Sequence, residues 1–126
     1  MMTVVEFRTT AGRYCVPVDA AIAVRLASGL VALPAPRAGV VGILPDEQPL
    51  TVLSLLGGGC EHVLVLAAKG HTFGLLVEEV TGLSRIDEAD IGVAPDGQQE
   101  AFISGVISRD CGLVLLADPA ALAGRL

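Results

Sequence analysis

Phe73-Gly74-Leu75-Leu76-Val77-Glu78-Glu79-Val80-Thr81-Gly82-Leu83 is the stretch from which the fold can be read. Its first half, Phe73 to Glu78, is a short apolar run of β type, entered through the turn pair Lys69-Gly70. A second run, Leu83 to Ile86, closes it. Glu78 and Glu79 are neighbours inside apolar surroundings, which turns one outward and leaves one toward an interface.

Similar runs extend to both sides: His62 to Ala67, Leu50 to Leu55 and Val40 to Leu44 before it, Phe102 to Ile107 and Leu113 to Leu116 after it. At the start of the chain, Thr3 to Arg8 alternates in part, with Val5 and Phe7 on one face, and Ala11-Gly12 offers a turn before Tyr14 to Val18. Runs at roughly 8–12-residue spacing suit a small sandwich or barrel. Asp96-Gly97 and Asp110-Cys111-Gly112 supply further turns, and connections this short predict antiparallel hairpins. Two helical pieces fit between strands. Asp19 can cap Ala20 to Leu26, with Gly29 beyond its end, and Asp118 before Pro119 opens a short helix through Ala123. Pro34 and Pro36 mark an irregular connector, and Gly57-Gly58-Gly59 reads as a flexible loop, not a linker between domains. The expectation is one all-β domain with minor helix over residues 1–126.

Composition narrows the function. Hydrophobic residues make up 52 % of the 126, enough apolar surface to exclude a disordered chain, and aromatics only 3 %, so the core is aliphatic. Val16, Val18, Val40, Ile43, Val77, Val80, Val106 and Leu115 are its candidate members. Eight basic against fourteen acidic residues give a net charge of −6, unsuited to neutralising a phosphate backbone, so no nucleic-acid partner is expected. No apolar run reaches the roughly 18 residues that span a bilayer, and no basic leader opens the chain; direct membrane insertion is not expected and a cytoplasmic location is. Cys15, Cys60 and Cys111 are an odd, widely spaced set, read as buried reduced thiols.

A search for chemistry returns little. His62 and His71 flank strands without a second ligand at metal-binding spacing. Ser54, Ser84, Ser104 and Ser108 sit in or beside apolar runs with no Gly-x-Ser-x-Gly elbow. Cys60 and His62 share a strand parity but have no third group to orient the imidazole. The triple glycine lacks the Gly-Lys-Ser/Thr of a phosphate loop. Asp87-Glu88-Ala89-Asp90-Ile91-Gly92 has Ala89 and Ile91 where a calcium loop needs oxygens, so a solvated loop is expected. No catalytic residue, cofactor or metal is expected.

The order of the runs resembles the CheW-like family of chemosensory adaptors. Phe7 and Tyr14-Cys15-Val16-Pro17-Val18 resemble its opening hairpin; Leu33-Pro34, Val40-Val41-Gly42-Ile43-Leu44 and Leu50-Thr51-Val52-Leu53-Ser54-Leu55 follow in order. Phe73 to Leu83 resembles its Gly–apolar–apolar–Val–Asp–any–Val strand. Phe102-Ile103-Ser104-Gly105-Val106 and Leu113-Val114-Leu115-Leu116-Ala117-Asp118 complete the match. The resemblance implies two small SH3-like five-stranded β-barrels, intertwined and packed together with an apolar groove between them, and no catalysis. It implies an adaptor that binds the cytoplasmic tip of a methyl-accepting chemoreceptor, couples it to the regulatory domain of a CheA-type histidine kinase, and is recruited to receptor clusters.

Contact positions depart from the family while fold positions do not. An Asn-Leu-Arg-Gly turn, whose arginine contacts partners, is replaced by Pro45-Asp46-Glu47-Gln48. A glutamate after the first hairpin aligns with Ala23 and an aspartate closing a strand with Ser54; the next connection is shortened to Gly57-Gly58-Gly59. These changes imply a divergent paralogue with weakened kinase contact, such as a FrzB-like second adaptor of a gliding-motility pathway. The resemblance points to Ile22, Val24 and Leu83 for the receptor groove, and to Ile43, Leu44, Asp46, Glu47 and Leu50 for the kinase face. The alternative is a stand-alone CheW-like module for another cytosolic signalling partner outside chemotaxis.

Overall fold

Period-two alternation places most strands of the chain between two apolar layers. In the computed structural model, which describes residues 1–33, 39–45, 47–57, 59–94 and 100–126 (of Glu100 the backbone alone), the strands form two sheets. The first contains β1 (Met2–Thr9), β2 (Gly12–Pro17), β9 (Glu79–Ile86), β10 (Ile103–Arg109) and β11 (Gly112–Ala117), in the order β10-β11-β2-β1-β9. The second contains β3 (Ala21–Leu26), β4 (Val31–Ala32), β5 (Val40–Leu44), β6 (Leu50–Leu53), β7 (His62–Ala68) and β8 (His71–Val77), in the order β3-β7-β8-β6-β5-β4. One helix, α1 (Pro119–Ala123), follows.

Successive residues of β7 show how one strand serves two interiors. Val63 and Val65 face an interior inside the second sheet with Ala27, Leu44, Leu50 and Val52; Leu64 and Leu66 face the core shared between the sheets. On β2, Tyr14 and Val16 enter that shared core while Cys15 joins Val4, Ile86 and Ile107 inside the first sheet. Three apolar layers thus come from one alternating pattern, which is why 52 % of the chain is hydrophobic. Phe7 and Tyr14 stack with centroids 5.8 Å apart in the shared layer.

The first sheet curls on itself. Beyond β9 the chain returns so that Gly92 exchanges backbone hydrogen bonds with Val106 on the outer side of β10, at 2.8 and 3.1 Å. This gives the sheet its barrel character and covers an otherwise open edge. The turns follow their chemistry: Lys69 and Gly70 both have positive φ (55° and 77°) in the β7–β8 hairpin. Asp118 caps α1 as its spacing predicts, accepting from the Ala120 amide at 3.0 Å ahead of Pro119.

Several expectations are corrected. Ala20 to Leu26 is not a helix: Val18–Ala20 is a 3₁₀ turn with no side-chain cap bond, and Ala21–Leu26 is β3, antiparallel to β7. A seven-residue helix is marginal alone, whereas β7 offers a strand edge along its length. Gly29 ends a second 3₁₀ turn, Ala27–Gly29. The second sheet has six strands, the two-residue β4 being the addition. Pairing is not wholly antiparallel: β6 runs parallel to β8 and β11 to β2, two residue pairs each, where the curling sheets bring non-consecutive strands together. Of the expected core, Val16, Val40 and Val77 are buried, but Val18, Ile43, Val80, Val106 and Leu115 are half-buried. Cys15 is buried while Cys60 and Cys111 are exposed, and all three are free. Pro34, Pro36, Asp96, Gly97 and Gly58 lie outside the described residues.

Candidate functional site

Edge strands β3 and β9, one from each sheet, wall an apolar groove of about 290 Å³. Ile22 and Val24 stand on one side and Leu83 on the other, 57 %, 47 % and 67 % exposed. Val5 and Leu64 form the floor. Register explains the meeting: Leu83 is the rung partner of Val5, and Val24 of Leu64. The three residues that the sequence assigned to one groove are brought together. No charged side chain lines it. Burying such a surface releases about 25 cal/mol per Å² of apolar area, which suits an apolar partner stripe.

A bulge turns Leu83 outward. The β1–β9 register slips between Glu6 and Phe7, so that Glu6 faces Gly82 and Phe7 faces Val80, leaving Thr81 extra. Gly82 sits at φ +146°, where a side chain is strained, and the Thr81 hydroxyl donates to the Glu6 carbonyl at 3.1 Å. Beyond the groove, Leu26 is 66 % exposed on the same face of β3 as Val24. Sequence reasoning missed Leu26 and the floor residues. The alternation Ile22-x-Val24-x-Leu26, read as a strand, would have shown the first.

The residues assigned to a kinase face are distributed differently. Leu44 and Leu50 are buried in the interior of the second sheet, and Ile43 is half-buried. Glu47 is exposed; Asp46 lies outside the described residues. Glu47 and Gln48 border a second cleft, about 350 Å³, whose other wall is Ile22, Ala23 and Arg25 of β3. The acidic turn therefore stands beside the strand that walls the groove.

Chemistry elsewhere is sparse. The Cys60 thiol and the His62 imidazole do not pair: Cys60 Sγ approaches the carboxylates of Glu61 (3.8 Å) and Glu78 (4.0 Å), while His62 Nδ1 lies 3.1 Å from the Glu78 carbonyl. The Glu78 charge, then slight desolvation and Glu61, push this thiol up from its ordinary value, the reverse of nucleophile activation. Asp87 to Gly92 is no calcium loop; Asp87 caps the 3₁₀ turn Glu88–Asp90. Among the described residues no three His, Cys, Asp or Glu could hold a metal, and no helix is long and apolar enough to cross a membrane.

Comparison with protein families matches residues 3–126 to the CheW-like domain. The chain belongs to the CheW-like domain family. Its CheW-like fold is shared with the scaffolding protein TtCheW from Thermoanaerobacter tengcongensis, with a TM-score of 0.84 at 19 % identity, over 96 % of this chain and 86 % of that one. No curated protein sequence matches it. Membership places the chain among non-catalytic scaffold proteins of the CheW type.

Proposed function

We propose that residues 1–126 act as one CheW-like module, a cytoplasmic chemosensory adaptor that binds the helical tip of a methyl-accepting chemoreceptor in the β3–β9 groove. It couples the receptor to a CheA-type histidine kinase as a divergent paralogue whose kinase contact is weakened, and is recruited to receptor clusters. The observation that carries this reading is the convergence of Ile22, Val24 and Leu83 from two sheets onto one uncharged groove. A helix with apolar residues at i, i+3 and i+4 presents the matching stripe.

The weakened kinase contact follows from the acidic turn. Glu47 stands exposed where the family carries an arginine-bearing turn, and reversing charge at an interface costs several kcal/mol. Leu44 and Leu50 serve that face by holding the hairpin, since their side chains are buried.

The test is titration of the purified chain, separately, with a receptor signalling-tip fragment and a CheA regulatory domain from the same organism. Tip binding with weak or absent kinase binding supports the specialised adaptor. Kinase binding as strong as that of an ordinary family member overturns the specialisation. Binding to neither favours the module outside chemotaxis.

A further inference from the structure

Strand β9, which carries Leu83, is held from behind by a residue at the far edge of its own sheet. Arg109 ends β10, four strands away in the pairing order. Its Nη2 nevertheless donates to Ser84 Oγ on β9 at 2.9 Å and stands 3.9 Å from Glu6 Oε2 on β1. The curl of the first sheet is what brings β10 within reach.

Both anchoring points adjoin the groove wall. Ser84 follows Leu83 and, by strand alternation, projects to the opposite side, as Ile86 does into the interior of the first sheet. Glu6 is the rung at which the β1–β9 ladder slips, and its carbonyl accepts the Thr81 hydroxyl. The arginine therefore holds both strands of the ladder, β1 and β9, on the Gly82 side of the bulge. Glu6 is also the rung partner of Cys15, whose buried thiol feels both the Glu6 and Arg109 charges, so the pair stands against the interior. Arg109 Nε is buried without a hydrogen-bond partner among the described residues. The side chain is thus anchored at its terminal nitrogen, where Ser84 and Glu6 are, rather than along its arm.

We propose that Arg109 is a positioning residue for the groove: by tying Ser84 and Glu6 to β10 it fixes the bulge of β9, and with it the place of Leu83 opposite Val24. The occupant of the groove rests on the receptor-binding reading above; the positioning is a property of the free chain. A charge-assisted bond to a half-buried hydroxyl, beside a carboxylate, is strong enough to hold an edge strand that, among the described residues, is paired in its sheet on one side only.

The test compares the full-length chain with Arg109→Met, Arg109→Lys and Ser84→Ala. Amide hydrogen exchange is followed in the free proteins, and a receptor signalling-tip fragment is titrated well below their melting temperatures. Arg109→Met is expected to speed exchange of the β9 amides bonded to β1 by about tenfold relative to β7 and β8, and to weaken tip binding by about tenfold. Arg109→Lys, keeping a charged donor on a different arm, restores part of both. Ser84→Ala removes the acceptor and shifts both in the same direction, which keeps the test open should Arg109→Met not fold. Unchanged exchange in β9, equal acceleration in both sheets, or full-strength tip binding despite faster β9 exchange would each overturn the proposal. Should the unmodified chain not bind the tip, the functional reading fails while the exchange data still decide on Arg109.

Discussion

Val24 and Leu83 belong to different sheets, yet each is the outer neighbour of a groove-floor residue: Val24 pairs in register with Leu64, and Leu83 with Val5. Both point away from their own sheet's second interior and toward the same uncharged space. Leu83→Asp and Val24→Asp should each weaken binding of a receptor-tip fragment by at least about 30-fold, or about 2 kcal/mol, because each sets a carboxylate against an apolar partner surface. Stability should change little for Leu83→Asp, at 67 % exposure, by about 0.5 kcal/mol or less. Calorimetric titration of a variant with an unchanged melting curve checks this; retained binding would remove the groove from consideration.

Gly74 explains the glycine in the segment most diagnostic of the fold. A Cβ there would lie 2.4 Å from Val63 Cγ1 and within 3.3 Å of Val52 and Leu50 side-chain carbons, in the interior of the second sheet. Gly74→Ala should destabilise the chain by about 1–3 kcal/mol through overpacking. Urea unfolding measures it, and a value near zero would mean that this interior is looser than its geometry.

The Cys15 thiol is pushed up from its ordinary value of 9.0 to about 12, first by burial and then by Glu6, with Arg109 opposing. The unfolded chain therefore releases this proton near pH 9 while the folded chain keeps it to about pH 12. Its contribution to stability is intact below pH 9 and is lost as pH rises toward 12, at a slope of up to about 1.4 kcal/mol per pH unit. Cys15→Ala, though less stable at neutral pH, should show a shallower loss of stability over that window. Parallel stability curves for the two proteins would contradict the assignment.

Thiol labelling distinguishes the other cysteines. In the native chain Cys60 and Cys111 should react and Cys15 should not, until denaturation. Glu78→Gln should speed labelling of Cys60 at constant neutral pH by removing the charge that most suppresses its thiolate, and leave the rate at Cys111 unchanged. Mass spectrometry of the labelled peptides reads both rates.

Strand existence was legible wherever a short apolar run met turn chemistry. Val40–Leu44 has the predicted bounds, and the other runs differ by one to a few residues at their ends. The Asp118-Pro119 helix start was legible because its cap bond is local. Ala21–Leu26 misled because its alanines favour a helix in isolation, while what decides its state is β7, some forty residues on. Ile22, Val24 and Leu83 could be named from family resemblance, but their convergence could not, since it depends on two registers and a bulge. The Arg109–Ser84 bond leaves no trace in spacing or composition, because curling of a whole sheet creates it. Leu44 and Leu50 were assigned to a surface although their side chains point inward; a single apolar strand does not announce which of its faces is covered.

The two sheets differ in how the chain supplies them. The second is drawn from one continuous stretch, β3 to β8; the first is split, with β1 and β2 on one side of that stretch and β9 to β11 on the other. During synthesis the second sheet therefore has all its strands while the first has only a hairpin, a form that is marginal alone. At about 5–20 residues per second, the wait from β2 to β9 is on the order of 3–12 seconds, during which Val5, Phe7, Tyr14 and Val16 lack their partners from the later strands. The second sheet is complete at Val77, two residues before β9 begins at Glu79, so the apolar face of β7 and β8 is in place just as β9 to β11 arrive to finish the first. In this chain the part made second is the template on which the part made first is finished.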